Sequence, residues 1–184
     1  MKGFPSTLEK LTINTAQLRT PVDRRIFTLK NLHTLDLSEN NITQLPSKIE
    51  MLHLHTLTLR ANQIRSFPTD LKFPVLKYLD LSQNQFQVLD ETILTLNTLE
   101  RLILSSNNIK IIPRHLLRLL PQLQVFNIAS NQIRAIPNGL AASGTRLHTF
   151  YYGENPLVTN KCITCQRFNF TLVELALRTV VKHR

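Results

Sequence analysis

Apolar residues recur along this chain at fixed offsets. Leu32, Leu35, Leu37, Asn40 and Ile42 fit the pattern L-x-x-L-x-L-x-x-N-x-I. Leu54, Leu57, Leu59, Asn62 and Ile64 repeat it, as do Leu76, Leu79, Leu81, Asn84 and Phe86, and Leu99, Leu102, Leu104, Asn107 and Ile109. Two looser copies follow: Leu123, Phe126, Ile128, Asn131, Ile133, and Leu147, Phe150, Tyr152, Asn155, Leu157. An imperfect copy leads the series, with Leu8, Leu11, Ile13 and Leu18, and with Ala16 where asparagine belongs. The first leucines are spaced 24, 22, 22, 23, 24 and 24 residues apart. L-x-L alternation predicts a short strand with one face inward. No single copy can bury its own face, so successive strands are expected to stack into one parallel sheet around a shared core. The chain turns after each strand, and a buried asparagine amide can both donate and accept there, which predicts an asparagine ladder. The return path of each copy runs through Leu45-Pro46 to Ile49 and Leu52, through Phe67-Pro68 to Leu71, and through Ile112-Pro113 to Leu116 and Leu119. Apolar spacings near three predict short α-helical or 3₁₀ turns there, with proline able to start them.

This pattern resembles the leucine-rich repeat family over residues 8–157. The resemblance implies an α/β solenoid of horseshoe form, about seven coils long, with a parallel sheet lining the concave face. Residues alternating with the inward leucines then face that concavity. Among them are Asp36, Arg60, Tyr78, Asp80, Arg101 and Tyr151. Such a mixture of acid, arginine and tyrosine suits a protein partner, for Tyr and Arg are common interface anchors.

Catalysis finds little support. Asp36 and Asp80 are two strands apart, roughly 10 Å at ordinary strand spacing. Neither G-x-S-x-G nor H-E-x-x-H occurs. No catalytic residue, metal ligand set or cofactor site is therefore assigned. His33 and His55 share a repeat position on adjacent strands, and His148 recurs there, but Lys77, Glu100 and Gln124 fill the places between. That reads as a polar column lacking a third metal ligand. Cys162 and Cys165 form one C-x-x-C, and closing a structural zinc site takes a second pair. They read as two reduced thiols in a connector spanning 158–170.

Composition narrows the class. Of 184 residues, 33 are leucine and 15 asparagine, in keeping with the repeat, and 4 glycines exclude collagen and disfavour a Gly-rich phosphate loop. A hydrophobic content of 42% is too high for disorder. Met1 to Lys10 has no apolar run of signal-peptide length, and the most apolar stretch, Ile111 to Phe126, is too short and polar to span a bilayer. The expectation is an intracellular protein, nuclear or cytoplasmic, not secreted and without a membrane partner. The net charge is +10, and no acid occurs from Arg101 to Gly153. Lys110, Arg114, Arg118, Arg134 and Arg146 lie in that stretch. Such a surface could meet nucleic acid or an acidic protein, although no nucleic-acid motif accompanies it.

Past Asn155-Pro156 the repeat stops. Residues 171–184 read TLVELALRTVVKHR. Thr171 and Glu174 have capping-box spacing, apolar residues recur at helical intervals, and Lys182, His183 and Arg184 suit the negative end of the dipole. This predicts an amphipathic helix that caps the open end of the solenoid. Its spacing also resembles the elongin-binding box of ubiquitin-ligase substrate receptors, with Thr171, Leu172, Leu175, Ala176 and Val180 as the contact residues and Ala176 in the place more often held by cysteine. FPSTLEKL at Phe4 to Leu11, LKNLHTLDLSENNI at Leu29 to Ile42, and FTLVELALRTVVKHR at Phe170 to Arg184 together resemble the leucine-rich repeat protein 1 family. That resemblance implies a non-enzymatic substrate receptor of the elongin and cullin 2 ubiquitin ligase, acting in replisome disassembly. Its implied partners are elongin C, elongin B, a cullin and the replicative helicase. The competing expectation is a generic repeat scaffold for a small GTPase or another signalling protein, with the last helix only a cap.

Overall fold

The central residues of the L-x-L triplets form one row across the molecule. A computed structural model describes residues 4–5, 7–47, 49–89, 91–137 and 146–158. Seven strands carry the triplets: β1 (Lys10–Thr12), β2 (Thr34–Asp36), β4 (Thr56–Thr58), β6 (Tyr78–Asp80), β7 (Arg101–Ile103), β8 (Val125–Asn127) and β9 (Thr149–Tyr151). They pair in parallel in that order, with Leu11, Leu35, Leu57, Leu79, Leu102, Phe126 and Phe150 in register. From Leu35 to Phe126 these central residues are essentially sealed from solvent. Burying each leucine contributes about 1.5–3 kcal/mol, and stacking is what makes that burial possible.

The asparagine ladder is present. Asn62 Nδ2 donates to Leu37 O at 2.9 Å and Leu59 O at 3.1 Å, while its Oδ1 accepts from Ile42 N at 3.0 Å. Asn84 does the same with Leu59 O, Leu81 O and Ile64 N, and Asn107 with Leu81 O, Leu104 O and Phe86 N. Each such carbonyl thus serves two successive asparagines. Asn40, Asn131 and Asn155 continue the series at its two ends. Just before each asparagine the backbone is left-handed: φ is 56° at Glu39, 53° at Ala61, 54° at Gln83, 55° at Ser106, 55° at Ser130 and 55° at Glu154. None of these is glycine. The left-handed backbone costs an L-residue roughly 1–2 kcal/mol, and the asparagine bonds on either side hold it in place.

The return paths depart from expectation in a way that follows repeat length. The 24-residue first interval carries a 3₁₀ helix at Arg24–Thr28, capped by Asp23 accepting from Arg25 N. The 23-residue interval carries α1 (Glu91–Leu94), and the following 24-residue interval carries α2 (Leu116–Leu119). Both 22-residue intervals are extended instead. Their return paths form β3 (Ile49–Glu50) and β5 (Leu71–Lys72), which pair in parallel as a second, two-stranded sheet. The predicted helical turns after Leu45-Pro46 and Phe67-Pro68 are therefore corrected to strands. A helix advances about 1.5 Å per residue and a strand about 3.3 Å, so fewer residues close the same coil only when extended.

The inward faces shift accordingly. Alternation along β3 and beyond buries Ile49 and Met51 and leaves Leu52 50% exposed, where the helical spacing had placed Leu52 inside. On α2, Leu116 and Leu120 lie four apart on the buried face, and Leu119 is 43% exposed rather than inward.

Candidate functional site

The sheet face away from the leucine core is built by the residues flanking each central position. Parallel register turns them into two columns. One runs Lys10, Thr34, Thr56, Tyr78, Arg101, Val125, Thr149, and the other Thr12, Asp36, Thr58, Asp80, Ile103, Asn127, Tyr151.

Three of the six residues expected on this face, Tyr78, Asp80 and Arg101, come together. Tyr78 and Arg101 are register neighbours on β6 and β7. The Tyr78 hydroxyl reaches Asp80 Oδ2 at 3.5 Å, and Arg60 Nε donates to Gln83 Oε1 at 3.2 Å, just past β6. Asp36 lies two strands from Asp80, on β2, and Tyr151 lies on β9, two strands from Arg101. These two flank the central group rather than join it. Arg60, Arg101 and Tyr151 are exposed, whereas Asp80 is buried.

The acids on this face hold turns. Asp80 Oδ1 accepts from Ser82 N at 2.8 Å and from Ser82 Oγ at 2.6 Å. Asp36 Oδ1 accepts from Ser38 N at 3.0 Å, and its Oδ2 accepts from Asn14 Nδ2 at 3.1 Å. Asn127 Oδ1 does the same with Ala129 N. Each bond satisfies an amide two residues on, where the strand ends. Partial burial works against the charge on Asp36, but hydrogen bonds from Ser38 and Asn14, with Lys10 nearby, outweigh it and hold the carboxyl below its ordinary value. Burial raises the Tyr78 phenol, the Asp80 charge and hydrogen bond add to this, and Arg101 opposes them. Nothing here arranges a nucleophile, a base and an anion-stabilising group around one point.

The histidine column is closer-knit than its sequence suggests. The His33 and His55 rings stack with centroids 5.4 Å apart, and His53 lies 6.3 Å from His33. A ring nitrogen of His55 is 2.7 Å from His53 O. Among the described residues no group of three or more potential ligands is arranged to hold a metal ion. No helix among them is long and apolar enough to cross a membrane.

Thr171, Leu172, Leu175, Ala176 and Val180 lie outside the described residues, as do Cys162 and Cys165. Sequence reasoning missed the left-handed residue before each asparagine, since Glu, Ala, Gln and Ser there carry no local signal. It also missed a groove on the flank of the molecule, lined by Lys110, Ile111, Arg114, Arg134, Ile136 and Pro137 among others. The acid-free stretch was the available signal for that groove.

Comparison with known families gives matches to "Leucine Rich Repeat" at residues 31–52 and to "Leucine rich repeat" at residues 52–109 and 74–133, together more than half of the chain. No curated protein matches the sequence. Among solved structures, a leucine-rich repeat protein of Leptospira interrogans superposes with a TM-score of 0.67 at 35% identity, over 72% of this chain and 34% of that one. A PEPR1–AtPEP1 complex gives 0.66 at 24% identity, over 80% and 22%. A TLR13–ssRNA13 complex gives 0.68 at 23% identity, again over 80% and 22%. The chain thus spans about a third of the Leptospira protein and less of the other two, and the last two likenesses concern the fold alone.

Proposed function

This chain belongs to the leucine-rich repeat family, and we propose that it serves as the substrate-recognition subunit of an elongin and cullin 2 ubiquitin ligase, acting in replisome disassembly within the cell. The coarser part of this reading, a repeat scaffold for protein interaction, rests on the family match and the fold. The single observation that carries this coarser part is Tyr78 beside the exposed Arg101 on the open face of β6 and β7, with the exposed Arg60 just past β4. A rigid sheet presents them, and internally bonded turns hold the backbone beneath. This offers an aromatic and arginine anchor of the kind that dominates protein interfaces. The reading is therefore one of binding, supported by this face and by the repeat fold.

The finer assignment is supported by the resemblance of residues 170–184 to an elongin-binding box. Leu172 would be the anchor that enters elongin C, and Thr171, Leu175, Ala176 and Val180 would line the same face. In a pull-down with purified elongin B and C, Leu172→Ala is expected to reduce capture at least tenfold, consistent with losing about 1.5–3 kcal/mol of buried leucine. Equal capture by wild type and variant would remove the ligase assignment while leaving the scaffold. On the sheet face, Arg101→Glu is expected to abolish retention of purified replicative helicase without altering elongin capture.

A further inference from the structure

The flank of the solenoid carries a second surface, separate from the sheet face. Residues of the sheet face precede the ladder asparagine in each repeat, and the groove residues follow it. The groove has a volume of about 1200 Å³. Its floor and walls are aliphatic: Ile111 is 70% exposed, and Ile112, Ile136 and Pro137 line it with Ala135. Val88, 54% exposed, pairs through its backbone with Ile111 and extends this apolar strip toward the preceding repeat. Three cations frame it: Lys110, Arg114 and Arg134. Among the described residues none of the three enters an ion pair, and no acid occurs in the chain between Arg101 and Gly153. Gln132 at the rim donates to Asn108 Oδ1, which fixes a polar edge beside the cations.

We propose that this groove docks an acidic, aliphatic peptide segment of a partner protein, with the carboxylates on Lys110, Arg114 and Arg134 and an aliphatic side chain against Ile111. Uncompensated positive charge around exposed apolar surface selects for a ligand with the opposite charge and matching apolar groups. The volume exceeds that of an ordinary small-molecule pocket, which favours an extended segment. Among the described residues that line the groove none is aromatic, so these offer none of the stacking platforms with which single-stranded nucleic acid is held. The chain's own residues 159–184 are a poor occupant, with five Lys and Arg against one Glu. The proposal stands apart from the ligase reading, because it uses neither the sheet face nor residues 171–184.

The test is fluorescence anisotropy with the full 184-residue chain at physiological salt. The probe is a labelled twelve-residue peptide of Asp and Glu interrupted by two leucines. A version with serine for leucine and a twelve-nucleotide oligothymidylate are run beside it. The leucine-containing peptide is expected to bind most tightly. Lys110→Glu combined with Arg134→Glu, both at exposed positions, is expected to weaken it at least tenfold, as is Ile111→Asp. Arg24→Glu combined with Lys30→Glu, the same charge change at two exposed positions elsewhere, is expected to leave it within twofold. Circular dichroism establishes that each variant is folded. Absence of peptide binding, binding indifferent to the groove variants, equal binding of the serine peptide, or tighter binding of the oligonucleotide would each overturn the proposal.

Discussion

Asn84 bridges two coils with one amide, donating to Leu59 O and Leu81 O and accepting from Ile64 N. The two carbonyls keep a second donor each, from Asn62 and Asn107, if Asn84 is lost. The buried Ile64 amide loses its acceptor. Leaving such a group unsatisfied costs about 1–3 kcal/mol, so Asn84→Ala is expected to lower stability by about 2 kcal/mol or more in urea melts. At Ala61 the sign reverses. Its φ of 53° is unfavourable for any L side chain, and Ala61→Gly relieves that while adding freedom to the unfolded chain. The expected result is a gain of up to about 1 kcal/mol; a loss of that size would show that the left-handed backbone is not held at a cost. Asp36 makes a third case. Its carboxyl pKa is depressed in the folded state, so its contribution is complete above the ordinary carboxylate value and is lost as pH falls through the depressed one. Asp36→Asn should keep the turn bond, as Asn127 does, and flatten the decline in melting temperature in acid.

At the scale of elements, one added or missing residue changes the kind of return path. The 22-residue repeats pair β3 with β5, with Glu50 and Lys72 in register and their side chains 3.5 Å apart. The longer repeats fold α1, α2 or the 3₁₀ turn. Within α2, position decides energy. Leu116→Ala empties a fully buried site and is expected to cost about 2–5 kcal/mol, whereas Leu119→Ala, at a half-exposed position, should stay within about 0.5 kcal/mol. Similar losses for the two in thermal melts would contradict the helical phase that buries Leu116 and exposes Leu119.

At the scale of the whole molecule, each coil contacts only its neighbours, so protection should be graded along the axis. β4, β6 and β7 have partners on both sides and interior positions in the series, while β1 and β9 each have one partner among the described strands. Hydrogen exchange is expected to be slowest in the first group and fastest in the second, because a terminal coil can open without disturbing the rest. Uniform exchange across all seven strands would indicate a single cooperative unit instead. The solenoid also separates its surfaces, so charge on the flank groove and charge on the sheet face can be altered independently.

The strands, their parallel stacking and the asparagine ladder were legible from the sequence, because they depend on a period: seven copies share the inward apolar positions and six of them the asparagine. The inward row from Leu11 to Phe150 and the amides of Asn40 to Asn155 lie where the pattern places them. The open-face residues were legible too, since alternation alone assigns a side. The return paths were not, because Ile49, Leu52, Leu116 and Leu119 satisfy helical spacing equally well, and only the distance each coil must close chooses between helix and strand. Nor does sequence alternation reveal that Asp80 is spent on its own turn, or that Lys110 and Arg134, from different coils, frame one groove. Those are relations between repeats, and they exist only once stacking has set each coil beside the next.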